Sequence, residues 1–338
     1  MRVAIVGAGV AGAACAAALG QAGWTPTLLD KSRGIGGRLC TRRASWTDAA
    51  GARHDSVFDH GAQYFTARDP RFAACLERGR REGWVAPWPL RVRAADGSAV
   101  LEAADAQVAV PGMPALVRAL ADGVPVQLGQ AVTALERRAG GWALHLGPDE
   151  PVADGFDAVV VAVPPWQAVP LVQPVRADWA RQLAAIDLQP CWTLMAVAQD
   201  PGGEAAPWEV VRPARGPLSW IARNDRKPGR TVVPGQVHWV AQADPVWSRQ
   251  HLEHDAATVE ALLLQALADQ VGGTSPVVWL HRTVHRWRYA LAPRRPAGSP
   301  PAWWDGRSGL GVCGDGLGGP RVEAAFLSGQ AMAEAMLR

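Results

Sequence analysis

Three glycines and an aspartate open the chain at a spacing that suits phosphate and ribose. Gly7, Gly9 and Gly12 stand as Gly-x-Gly-x-x-Gly between the apolar run Arg2-Val3-Ala4-Ile5-Val6 and an alanine-rich stretch. In that setting the first glycine makes a tight turn, the second lets the backbone approach a pyrophosphate, and the third lets helix and strand pack closely. The helix start then offers free N–H groups and its positive dipole end to the phosphates. Asp30, eighteen residues past Gly12, ends the next apolar run, where a carboxylate accepts hydrogen bonds from ribose hydroxyls. This fingerprint serves nicotinamide and flavin dinucleotides alike. The segment Arg33-Gly34-Ile35-Gly36-Gly37-Arg38 separates them, adding a second glycine turn with guanidinium groups suited to phosphate or flavin contact and so pointing to FAD.

The other reactive residue types form no constellation of the Ser/His/Asp, Cys/His or metal kind. Cys15, Cys40, Cys75, Cys191 and Cys313 are scattered and make no Cys-x-x-Cys pair, which fits a reducing cytoplasm. Cys40 and Cys313 read as core residues. His251 and His254 share a helical face without a third ligand and read as a solvated helix start, so no metal is expected. His60 reads equally as a flavin contact and as a partner of a backbone carbonyl, while His281 and His285 read as ordinary strand residues.

These residues need a scaffold, and hydrophobic periodicity supplies one. The opening predicts a strand over 2–6, a helix to about Gly20 and a strand over 25–29, a βαβ unit. Ala158 to Val163 and Leu310 to Cys313 read as buried parallel strands, and Val322 to Leu337 as a helix. A helix is expected over 114–121, and alternation from Val124 to Leu146 predicts a small antiparallel sheet. The stretch from Trp166 to Pro301 reads as loop-rich with one amphipathic helix from about Leu252 to Gln270; Pro293 to Pro301 reads as a linker. With 34 Lys+Arg against 31 Asp+Glu, the charge balance argues against nucleic acid as a partner. The uncharged stretch Val3 to Trp24 carries five glycines and Ala158 to Val175 four prolines, so no membrane helix is expected. The only lysines are Lys31 and Lys227, and both are candidate nucleotide contacts.

Three further segments agree with the glycine turns: Val132 in Val-x-x-Leu-Glu-Arg before Gly140-Gly141-Trp142, the run Val159 to Pro164, and Gly314-Asp315 before the last helix. Together they resemble the flavoprotein group of monoamine oxidases and related amine oxidoreductases. Additional segments sharpen the match: Asp30 to Gly34, Asp59 to Asp69, Pro111-Gly112-Met113, Trp220 to Asn224, Lys227 to Arg230, His285 to Ala290, Arg321-Val322-Glu323 and Leu327 to Gln330. With them the chain resembles the bacterial renalase-like flavoproteins over almost its whole length.

The resemblance implies an α/β plus α+β fold. A discontinuous Rossmann-like FAD-binding domain of the glutathione-reductase/amine-oxidase type (1–70, 105–165 and 305–338) would carry a mixed antiparallel-sheet substrate domain (71–104 and 166–304). It implies non-covalent FAD held by Gly7, Gly9, Ala11, Gly12, Asp30, Lys31, Gly37, Arg38, Gln63, Tyr64, Val132, Gly314, Asp315 and Val322. The substrate wall would be Tyr64, Asn224, Gln242, Arg286 and Trp287, where Gln242 replaces a family His ahead of Trp247-Ser248. The implied activity is oxidation of 2- or 6-dihydro isomers of NAD(P) to the normal oxidised nucleotide, with O2 reduced to H2O2. The flavin itself would accept the hydride, with no catalytic side chain. A conventional amine or amino-acid oxidase, and an FAD-binding protein without turnover, remain open alternatives.

Overall fold

A computed structural model describes residues 1–94, 98–147, 153–200, 202, 207–272 and 276–338. Among them the first strand, Arg2–Val6, lies inside a six-stranded sheet ordered Ala302–Asp305, Leu310–Cys313, Ala158–Val161, Arg2–Val6, Thr25–Asp30, Val126–Leu128. All neighbours run parallel except the first pair. Burial on both faces explains the continuous apolar runs at 3–6 and 158–161. The first helix spans Val10–Gln21 and the closing helix Val322–Leu337.

These two helices touch backbone to backbone. A Cβ on Gly329 would stand 2.1 Å from the Ala11 carbonyl oxygen, so no larger residue fits without separating them. Gly329→Ala is expected to lower stability by about 1–3 kcal/mol, the usual effect of overpacking, in a urea titration; an unchanged midpoint would contradict this contact.

The second large sheet is mixed and seven-stranded among the described residues. It is ordered Trp279–Leu291, Gln189–Gln199, Gln236–Ala243, Leu218–Arg223, Val210–Val211, Leu90–Arg93, Ala99–Ala103. The stretch expected to be loop-rich therefore supplies long strands. Trp279–Leu291 shows no alternation because almost every residue in it is half-buried. Two other expectations change. The helix expected from Leu252 begins after Asp255, whose carboxylate caps Thr258 N at 2.9 Å, and is preceded by the short helix Pro245–Gln250. Val126–Leu128 joins the parallel sheet, leaving Gly141–His145 between Ala134–Arg138 and Ala153–Phe156 in a three-stranded antiparallel sheet. No helix among the described residues is long and apolar enough to cross a membrane.

Candidate active site

The glycine turns meet where the parallel strands end. Gly7 has φ 114°, and a Cβ on it would lie 2.7 Å from the Ala162 carbonyl oxygen; a Cβ on Gly12 would lie 2.0 Å from the Gly7 oxygen. Gly9 differs: nothing stands within 4 Å of its Cβ position, and it begins a helix with no side-chain cap. Gly37 faces it, its own Cβ position 3.5 Å from the Gly9 Cα. Closely packed backbone, a bare helix N-terminus and the open space at the Gly9 Cβ position form a cradle that fits a diphosphate. Asp30 Oδ2 accepts from Ala8 N and Oδ1 from Ser32 N, both at 2.8 Å, which fixes the carboxylate beside the turn.

From this cradle a cleft of about 1650 Å³ runs to the edge of the seven-stranded sheet. It brings together Gly7, Gly9, Ala11, Asp30, Lys31, Gly37, Arg38, Gln63, Tyr64, Val132, Gln242, Arg286, Trp287, Gly314, Asp315 and Val322. Arg38 donates to the Ala290 carbonyl oxygen at 3.1 Å and pairs with Asp315, so one guanidinium joins three distant segments. Glu323, in the first turn of the closing helix, accepts from Asp69 N at 2.7 Å and pairs with Arg321.

At the far end the lining is aromatic. Tyr64 stacks on Trp220 with centroids 5.7 Å apart. Trp287 donates from Nε1 to the His60 carbonyl oxygen at 2.9 Å, and its ring stacks on His60 at 5.1 Å and meets His285 edge-on at 4.3 Å. Gln242 Nε2 donates to the Gly61 carbonyl oxygen at 2.8 Å. Burial pulls the His60 imidazole down to about 4, with His285 and Arg42 adding to it, and burial and Arg42 pull His285 down to about 4. The folded protein therefore refuses protons that the unfolded chain takes up between pH 6.5 and 4, and stability must fall as pH drops through that window. Melting temperatures from pH 7 to 4.5 are expected to decline, and His60→Gln with His285→Gln to flatten the decline.

Several expected residues stand elsewhere. Asn224 is fully buried and off the cleft wall: Nδ2 donates to the Val57 carbonyl oxygen at 2.9 Å and Oδ1 accepts from Asp59 N at 3.1 Å. Gly12 also stays off the wall, packed against the turn. Lys227 stands off the cleft wall; its ammonium is fully buried and donates to Asp59 Oδ2 at 3.2 Å, the Gln63 carbonyl oxygen at 3.0 Å and Gln63 Oε1 at 3.1 Å. Arg286 lines the cleft but directs Nη1 to the Leu252 carbonyl oxygen at 2.6 Å. Conversely, Cys40 and His285, read as a core and an ordinary strand residue, line the cleft, with the Cys40 sulfur 3.6 Å from the His60 ring nitrogens. Cys313 is buried in the core, and burial pushes its thiol up to about 12.

Sequence reading missed the cluster beneath Gln63. Asp59 is fully buried and accepts from Arg230 Nη2 at 2.6 Å and Thr41 Oγ1 at 2.6 Å, besides Lys227. Burial favours the protonated acid, but Lys227, Arg230 and Thr41 outweigh it and hold the carboxyl below its ordinary value. Burial in turn pulls the Lys227 ammonium down to about 8. Lys227 and Arg230 flanking Pro228-Gly229 was the available signal. Among the described residues no group of three His, Cys, Asp or Glu side chains could hold a metal ion.

A parallel sheet with a glycine-rich dinucleotide turn, opening into an aromatic cleft against a second sheet, defines a dinucleotide-dependent oxidoreductase. Residues 5–78 match the NAD(P)-binding Rossmann-like domain and residues 94–337 the flavin containing amine oxidoreductase family. The chain belongs to the flavin containing amine oxidoreductase family, and it is a flavin-dependent oxidoreductase. It is 25% identical to renalase of Mus musculus over 304 residues, covering 86% of this chain and 84% of that protein. Its fold is similar to cyclohexylamine oxidase from Brevibacterium oxydans (TM-score 0.69, 14% identity, 99% and 98% of the two chains covered). An oxidoreductase from Methanosarcina mazei is also similar (TM-score 0.61, 16% identity, 99% and 100% covered).

Proposed function

We propose that this protein binds FAD without a covalent bond and oxidises mis-reduced dihydronicotinamides, the 2- or 6-dihydro isomers of NAD(P). The oxidised nucleotide is released, and O2 with one proton and the transferred hydride gives H2O2. The observation that carries this reading is the wall of Tyr64, Trp220 and Trp287 with two imidazoles pulled down to about 4. Rearomatising a dihydropyridine releases a hydride and needs no general base, so neutral rings that orient a flat substrate suffice. The similarity to renalase supports the same reading.

FAD supplies the hydride acceptor. Gly7, Gly9, Gly37 and the start of Val10–Gln21 would hold its diphosphate, Asp30 its ribose, and Gly314, Asp315 and Val322 the chain and ring beyond. Gln63 and Tyr64 would meet the isoalloxazine, Trp287 and Tyr64 would orient the substrate ring, and Gln242 offers an amide where a histidine would offer charge. The cleft thiols support a non-covalent cofactor: burial pushes Cys40 up to about 12 and Cys191 up to about 11, so neither is a thiolate at neutral pH.

Mixing the purified flavoprotein anaerobically with NADH containing the 2- and 6-dihydro isomers is expected to bleach the flavin, and air to restore it with peroxide. No bleaching with either isomer, together with peroxide from an amine panel, would replace this reading by amine oxidation.

A further inference from the structure

One pair of opposite charges on the cleft wall has no part in the binding scheme above. Arg212 and Glu102 both line the cleft and pair at 2.6 Å, and their side chains remain 42% and 39% exposed. The Arg212 guanidinium lies over the Trp220 ring, 4.9 Å from its centroid, and Trp220 stacks on Tyr64. Guanidinium, indole and phenol therefore adjoin in turn, with the cation partly exposed. An exposed ion pair contributes about 0–1 kcal/mol, too little to explain the arrangement as a fold staple. It is also readily exchanged: each phosphate of a diphosphate offers a guanidinium two acceptor oxygens for a bidentate contact, as a carboxylate does, and the diphosphate carries more charge.

Resting on the proposed reaction, we infer that Arg212 is a specificity-determining residue which releases Glu102 to bind the diphosphate of the nicotinamide dinucleotide substrate. A nicotinamide ring oriented by Tyr64 and Trp287, beside Trp220, leaves the rest of a dinucleotide the side of the cleft away from the cofactor cradle. That direction passes the solvent-exposed cation on Trp220. Glu102 then acts as a placeholder that keeps Arg212 over the indole and competes with the incoming phosphates.

This arrangement gives the two partners opposite effects, which a structural ion pair could not do. In the flavin-loaded protein, Arg212→Gln is expected to weaken NAD+ binding about tenfold, the loss of one charge-assisted contact. Glu102→Gln is expected to tighten it several-fold, because the competing carboxylate is gone. Binding of 1-methylnicotinamide, which has the ring and no phosphate, should change less than twofold in both variants. With dihydro-isomer substrates the Arg212→Gln change should fall in KM rather than in kcat. Equal loss of NAD+ affinity in both variants, or an equal effect on NAD+ and 1-methylnicotinamide, overturns the inference and leaves a structural pair. Failure of the wild-type protein to bleach with any dihydro isomer is the separate result that removes the proposed reaction itself.

Discussion

Asp59→Asn is expected to lower folding stability by about 3–5 kcal/mol, the usual effect of leaving buried charge unpaired. The substitution keeps size and shape, so no cavity opens, and Thr41 retains an oxygen to donate to. What disappears is the negative charge that faces Lys227 and Arg230 at full burial. Two cations then share a site with only neutral acceptors: the Gln63 carbonyl and side-chain oxygens for Lys227, the Ala109 and Pro228 carbonyl oxygens for Arg230. Urea denaturation checks the size of the loss, and the double variant Asp59→Asn with Lys227→Met separates its origin. Removing the uncompensated ammonium should restore part of the stability, a positive coupling in a double-mutant cycle. A loss below about 1 kcal/mol would show that the cluster is not the dry ionic site its geometry describes. The loss should reach the cleft as well through Lys227, whose ammonium holds the Oε1 end of the cleft-lining Gln63 amide, while the Nε2 end stays bonded to the Asp59 backbone carbonyl oxygen.

Gly9→Val is expected to give a folded protein without flavin. Gly9 has φ −88° and ψ −172°, backbone that any residue adopts, and open space at its Cβ position, so the fold tolerates a side chain. That open space is the phosphate cradle, and an isopropyl group would fill it. Visible absorbance of the purified variant should show no flavin band, while circular dichroism matches that of the flavin-free wild type. Gly12→Ala, three residues on, should instead fail to fold stably, because its Cβ meets the Gly7 carbonyl oxygen at 2.0 Å. A yellow Gly9→Val protein would move the diphosphate off this turn.

The N-terminal unit was legible because each level of its sequence agrees: β-branched strand, glycine turn, alanine-rich helix, strand, acid. The closing strand and helix at 310–313 and 322–337 were legible for the same reason. Of the second sheet only the residues around His281 and His285 read as strand, since Trp279–Leu291, half-buried along most of its length, carries little period to read. Site residues divided along another line. Gly7, Gly9, Arg38, Gln63 and Trp287 reach the cleft through segments whose glycines or aromatics constrain the backbone. Asn224 and Lys227 do not, because a polar side chain satisfied by the protein itself looks, in sequence, like one reserved for a ligand.

The sheet order has a consequence for how the chain is made. Arg2–Val6 gains its neighbour Thr25–Asp30 soon after it is made but waits for residues 158–161 to cover its other edge, and those in turn wait for residues 310–313. Strand edges rich in valine and isoleucine are therefore unpaired until residues 310–313 have emerged, a condition that favours intermolecular pairing. Nascent chains halted before residue 310 are expected to partition into aggregates or chaperone complexes.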